Sequence, residues 1–119
     1  MDQTARFQET LRRLAIIDER FVEDQVGLGL GPSRPLVLDP RTAALVQLGA
    51  LVAVGGPAVS LEWSTTRALA TGATQDEVTD VLLAIGPAVG LGRIAGAVTG
   101  VAAALGYDIE AALLYQDDH

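Results

Sequence analysis

From residue 4 to residue 26 the apolar positions Phe7, Leu11, Leu14, Ile17 and Phe21 follow one another in steps of three and four. That is the period of one helical face. Arg12, Arg13, Glu19, Arg20 and Glu23 fill the other faces. Residues 1–26 therefore predict an amphipathic helical arm whose stripe must lie on something. Gly27, Gly29, Gly31, Pro32 and Pro35 then predict a loop over residues 27–38. Asp39-Pro40 restarts a helix: the aspartate can cap free backbone N–H groups, and proline suits the first helical position. That helix, running to Val54, is apolar nearly all round and is expected to be central.

The next helix is expected from Pro57 to Thr71, with Gly72 as its stop. Thr74-Gln-Asp-Glu77 has the spacing of a capping box, in which a threonine and a glutamate satisfy each other's end of the turn. The helix it opens is expected to reach about Ile85. Gly86-Pro87 is expected to separate it from a last long helix, residues 87–105. Asp108 can cap a short final turn through Leu114, before a polar tail over residues 115–119. No segment alternates with period two, and no tandem repeat is visible. The prediction is one all-α domain of about six helices, with its core in residues 39–114.

The chain has 119 residues, a size able to bury a core without staples. It has no cysteine and no lysine, which excludes disulfides, thiol nucleophiles and lysine Schiff bases. The net charge of -7 argues against a nucleic-acid partner and fits a cytoplasmic protein. Between Pro40 and Tyr107 the only acids are Glu62, Asp76, Glu77 and Asp80. No secretory signal is expected. The apolar stretch 81–106 raises a membrane question, but Arg93 in its middle favours two buried helices, and no membrane partner is expected. No metal constellation exists, since His119 is isolated at the chain end. No cofactor is expected.

The order and punctuation of these helices resemble the carboxymuconolactone decarboxylase family, related to the alkylhydroperoxidase D-type proteins. The resemblance runs through Leu38-Asp-Pro-Arg-Thr42, then Arg67-Ala-Leu-Ala-Thr-Gly-Ala-Thr-Gln-Asp-Glu-Val78. It closes on Gly86-Pro-Ala-Val-Gly-Leu-Gly-Arg93 and Ala104-Leu-Gly-Tyr-Asp108. It implies an alkylhydroperoxidase D-like helical bundle that assembles into a homo-oligomeric ring, a trimer or hexamer. Redox members carry Cys-x-x-Cys-x-x-x-His on the helix after the Gly turn. Here that frame falls on Pro57, Ser60 and Ser64. An acidic relay residue of the preceding helix would fall on Ala44 or Leu45. This chain thus resembles a variant without the family's cysteines and histidine. The family's thiol peroxidase chemistry is excluded by the absence of cysteine.

Ser60, Ser64 and Arg67 share one helical face by spacing, and Trp63 stands four residues before Arg67. In a functional reading Ser60, Trp63, Arg67 and Arg93 bind substrate, Ser64 orients it, and Glu62 carries a proton. In the alternative, the serines are packing residues, Trp63 is a core or interface anchor, and Glu62 is a solvated charge. Arg93 lies in an apolar helix and needs a partner or solvent. It can fork onto a substrate carboxylate, pair with Glu62 or Asp80, or sit at a subunit contact. Gly92, Gly96 and Gly100 are spaced by four and predict close helix packing, within the chain or between subunits. A dinucleotide fingerprint at Gly90-x-Gly92 would need a preceding strand, which the pattern lacks. Two functions follow. One is a cofactor-independent lyase, isomerase or cyclase acting on a small organic acid, lactone or enol. The other is a non-catalytic oligomeric small-molecule-binding or scaffold protein.

Overall fold

The computed structural model describes residues 3–16 and 36–117, which fold as two separate units, Met1–Val37 and Leu38–His119. All regular structure among the described residues is helical: α1 (Gln3–Ala15), α2 (Pro40–Ala53), α3 (Ala58–Ala70), α4 (Gln75–Val89), α5 (Leu91–Ala104) and α6 (Ile109–Asp117). The all-α expectation of about six helices holds. In the first unit α1 carries Phe7, Leu11 and Leu14, with Arg12 and Arg13 both clasping Glu9 at 2.9 and 3.0 Å. Hydrogen bonds from Arg12 and then Arg13 hold the Glu9 carboxyl below its usual range. The remainder of the expected arm, residues 17–26, lies outside the described residues, as does the Gly/Pro loop up to residue 35.

In the second unit the helix starts and stops follow from particular side chains. Asp39 accepts a 2.7 Å hydrogen bond from the Thr42 backbone, and Pro40 takes the first helical position of α2. At the other end Gly55 adopts φ 73°, its N–H reaches Val52 O, and the Gly56 N–H reaches Leu51 O at 2.9 Å. This pair of backward bonds is a Schellman motif. The same motif closes α3 at Gly72 and α5 at Gly106. Thr74 and Glu77 form both arms of the capping box that opens α4. Asp108 accepts from Ala111 N at 3.0 Å and starts α6, which runs beyond the expected Leu114 to Asp117.

One expected boundary is wrong. Gly86-Pro87 does not end a helix, and α4 runs through both residues to Val89. Proline disfavours helix at the residue before it by striking that residue's Cβ, and Gly86 has none. Pro87 and Leu83 lie on the exposed side of α4, where water can satisfy the Leu83 carbonyl that Pro87 leaves without a donor. The break falls instead at Gly90, whose φ of 90° and ψ of 151° suit glycine alone. That single residue turns the chain from α4 into α5.

The core is built from small and medium side chains: Ala44, Leu48 and Val52 of α2, Leu61 and Ala68 of α3, Val78 of α4, Ala97 and Val101 of α5. Small residues let the helix axes approach closely. The tightest place is Gly100 of α5. A Cβ there would lie 2.8 Å from Ala58 O and 3.2 Å from Leu61 Cβ of α3. Of the three glycines expected to pack closely, Gly100 does so within the chain, whereas a Cβ at Gly92 or Gly96 would meet no atom within 4 Å, so the expectation fails there. α2 packs against α3, α4 and α5, as expected of a central helix. Its Val46 and Ala50 are nevertheless exposed, so one face remains open. No described helix is long and apolar enough to cross a membrane.

Candidate functional site

α3 begins at Pro57, which offers no side-chain cap, and its register decides where the candidate residues point. Ser64 and Thr65 turn into the core, at 4% and 0% exposure. Thr65 donates its hydroxyl to Leu61 O at 2.8 Å. The Ser64 hydroxyl has no hydrogen-bond partner among the described residues, although burial makes an unpaired hydroxyl costly. Ser60 is half-buried and Glu62 exposed. Trp63 is 62% exposed, and Arg67 stacks over its ring with Cζ 5.6 Å from the centroid.

The helix therefore separates residues whose spacing had placed them together. Ser64 faces inward, while Arg67 faces outward with Trp63. Glu62, two residues from Ser64, is on the opposite side of the helix. Ala44, one of the two positions matched to an acidic relay, is 3% exposed and belongs to the core.

Arg93 occupies a different setting. It projects from the first turn of α5 into a cleft of about 190 Å³. Val52, Gly55 and Gly56, from the end of α2 and the turn after it, form one wall. Gly92, Gly96 and Ala97 of α5 form the other, with Leu61 of α3 beside them. The guanidinium lies against Gly55 so closely that a Cβ there would fall on Nη1. Glycine is favoured at position 55 by its positive φ, while the arginine end beside it is free to swing aside. None of Ser60, Glu62, Trp63, Ser64 or Arg67 lines the cleft.

The ion pairs among the described residues are Arg12–Glu9, Arg13–Glu9 and Arg41–Glu77, the last at 3.1 Å. Arg93 pairs with neither Glu62 nor Asp80. Arg93 is exposed, and its side chain borders the cleft. Gly55, with Gly56 beside it in the cleft wall, is the backbone that the guanidinium approaches, and no periodicity points to either. The signal available for them was the Gly-Gly-Pro run itself. Among the described residues no cluster of histidine, aspartate or glutamate could hold a metal.

Two larger hollows are more apolar. One, of about 420 Å³, lies among α4, α5 and α6 beside Leu82, Val98 and Tyr107. The other, about 450 Å³, lies along α2 and α4 beside Leu45, Val46 and Ile85. Neither includes a charged residue or a sequence-predicted site residue.

Comparison with the curated proteins and with the solved structures finds no match. The model of the carboxymuconolactone decarboxylase family matches residues 33–104, the stretch that runs from before α2 to the end of α5. It spans the Asp39 and Thr74 caps, the turns at Gly55, Gly72 and Gly90, and the Arg93 cleft. With most of its length matched, the chain belongs to the carboxymuconolactone decarboxylase family.

Proposed function

We propose that this protein binds a small organic anion at Arg93 and that binding, rather than proton transfer, is what its cleft performs. The observation that carries this reading is the exposed guanidinium of Arg93, which has no ion pair among the described residues. Arg41 has Glu77 and Arg67 has Trp63, but Arg93 faces a cleft with no acid in its lining. In a chain with 15 acidic residues, an arginine held by a turn and left without a carboxylate is suited to an anion from outside. A guanidinium forks onto a carboxylate through two parallel N–H donors, which adds direction to charge. The other lining residues are Val, Leu, Ala and Gly, so this chain brings no proton carrier to that anion.

A second reading keeps the cofactor-free lyase, isomerase or cyclase acting on a small acid, lactone or enol, with Glu62 moving the proton. It is favoured by the Ser64 hydroxyl, which is buried and has no partner among the described residues. Assembly into a homo-oligomeric trimer or hexamer belongs to the proposal too. It is supported by the large apolar side chains left exposed on the core unit, including Val59, Trp63, Leu83 and Leu91.

Calorimetric titration with small carboxylates tests the binding reading. Saturable binding should weaken about tenfold or more in Arg93→Ala, the loss of a charge-assisted pair. Equal affinity in that variant would refute it. Turnover of a lactone or enol that disappears in Ser64→Ala would replace it with the second reading.

A further inference from the structure

Two helices of the core unit, α3 and α6, each leave a face open, and the chemistry of the two faces is complementary. On α3, Val59, Trp63 and Arg67 follow one another in steps of four and share one face. All three are exposed, and Arg67 stacks over the Trp63 ring. Tryptophan and arginine are the residue types that most often carry the binding energy of an interface. Arg67 has no ion pair among the described residues. Glu62, the other charge on α3, points away from it by helical spacing. On α6, Glu110, Leu113 and Leu114 stand three and four residues apart on one face. Glu110 is exposed, and Leu113 and Leu114 are each more than half exposed. Among the described helices α6 packs on α5 alone. Beyond Arg93 the sequence holds Asp108, Glu110, Asp117 and Asp118 but no arginine or lysine.

Resting on the homo-oligomer reading above, we infer that α6 of one copy packs across α3 of the next, with Leu113 and Leu114 on Trp63 and Glu110 on Arg67. The register supports this pairing. Glu110 precedes its leucines by about one turn, and Arg67 follows Trp63 by about one turn, a rise of about 6 Å in each case. Antiparallel helices therefore match the apolar and the charged pair together, whereas parallel helices would set Glu110 against Val59. Charge selects α6 over the other candidates. α1 of a neighbouring copy carries Arg6, Arg12 and Arg13 against a single acid, Glu9, and would bring like charge to Arg67. The groove along α2 and α4 has no basic residue in its lining to receive Glu110. Each copy carries one face of each kind, so a closed ring leaves none uncovered.

The test uses the full chain and reads Trp63, its one tryptophan. Sedimentation velocity gives the size of the assembly, and acrylamide quenching gives the accessibility of Trp63, in wild type, Arg67→Glu, Glu110→Arg and the double variant. In wild type Trp63 should be shielded at high concentration and accessible on dilution. Glu110→Arg should weaken assembly by about tenfold or more and open Trp63 to quencher. Within one chain α6 does not touch α3, so a change at Glu110 reaches Trp63 only through a second copy. Arg67→Glu should weaken assembly similarly, and the double variant, with the charges exchanged, should return to within about threefold of wild type. Helical circular dichroism should be the same in all four, since both positions are exposed. An assembly in which Trp63 stays open to quencher, or is shielded regardless of Glu110→Arg, would keep the homo-oligomer and overturn the contact between α6 and α3. Additive losses in the double variant would overturn the pairing of Glu110 with Arg67. A chain that stays monomeric at every concentration would overturn the contact and the assembly reading together.

Discussion

The crossing of α5 over α3 makes Gly100 and Gly96 a matched pair with opposite expectations. Both are glycines inside the same helix, one turn apart. Replacing either with alanine gains helix propensity worth roughly 0.5–1 kcal/mol. At Gly96 nothing opposes that gain, because no atom lies within 4 Å of the new Cβ. At Gly100 the methyl would sit 2.8 Å from a backbone oxygen and 3.2 Å from both Ala58 Cα and Leu61 Cβ. Backbone cannot swing aside as a side chain can, so α3 must move away from α5. Such overpacking costs about 1–3 kcal/mol, which exceeds the propensity gain over most of its range. Gly96→Ala should therefore be more stable than wild type by about 0.5–1 kcal/mol, and Gly100→Ala less stable by about 0–2.5 kcal/mol. Urea unfolding of the ligand-free protein reads both as midpoint shifts at constant slope. If Gly100→Ala is as stable as Gly96→Ala, α3 and α5 do not cross at Ala58 and Gly100.

Ser64→Ala should leave stability unchanged or raise it by up to about 1 kcal/mol in urea unfolding, because it removes a buried hydroxyl that has no partner among the described residues. A loss of more than about 1 kcal/mol would mean that the hydroxyl is bonded. Thr74→Ala should cost about 1 kcal/mol by removing one arm of the capping box. Glu77→Ala should cost somewhat more, about 1–2 kcal/mol, since it also releases Arg41; equal losses would show that the Arg41 pair contributes nothing. The Thr42 backbone N–H, then its hydroxyl, holds the Asp39 carboxyl below its usual range. With the folded value depressed, Asp39 stabilises α2 above its unfolded value near pH 4 and loses this as pH falls through the folded value. Asp39→Asn should flatten that acid limb of a stability–pH profile, and an unchanged limb would remove Asp39 from it.

Local chemistry that acts over one turn of helix was legible from sequence. Asp39-Pro40, the Thr74–Glu77 box, the Gly72 stop and the Asp108 cap all work through neighbours three or four residues away. Each stands where the pattern placed it. The Gly86-Pro87 boundary was misread because the strain it implied depends on two things the local pattern does not weigh together. One is that Gly86 has no Cβ, and the other is that this side of α4 faces solvent. Spacing alone grouped Ser60, Ser64 and Arg67, but the direction of α3 relative to α2 and α5 is a tertiary property. It sends Ser64 into the core and leaves Trp63 and Arg67 outside. Arg93 was singled out by its charge within an apolar stretch. What it lies against, the Gly55 turn some forty residues earlier, is a long-range approach that no periodicity encodes.

Binding of an anion by Arg93 is most directly observed at the guanidinium itself. The Nε–Hε resonances of the arginines, with the Arg93 signal assigned by its disappearance in Arg93→Lys, can be followed during titration with butyrate. The Arg93 signal should shift saturably while those of Arg41 and Arg67, held by Glu77 and Trp63, stay in place. A stationary Arg93 signal, or a response at Arg67 instead, would contradict an anion site in the cleft between the Gly55 turn and α5.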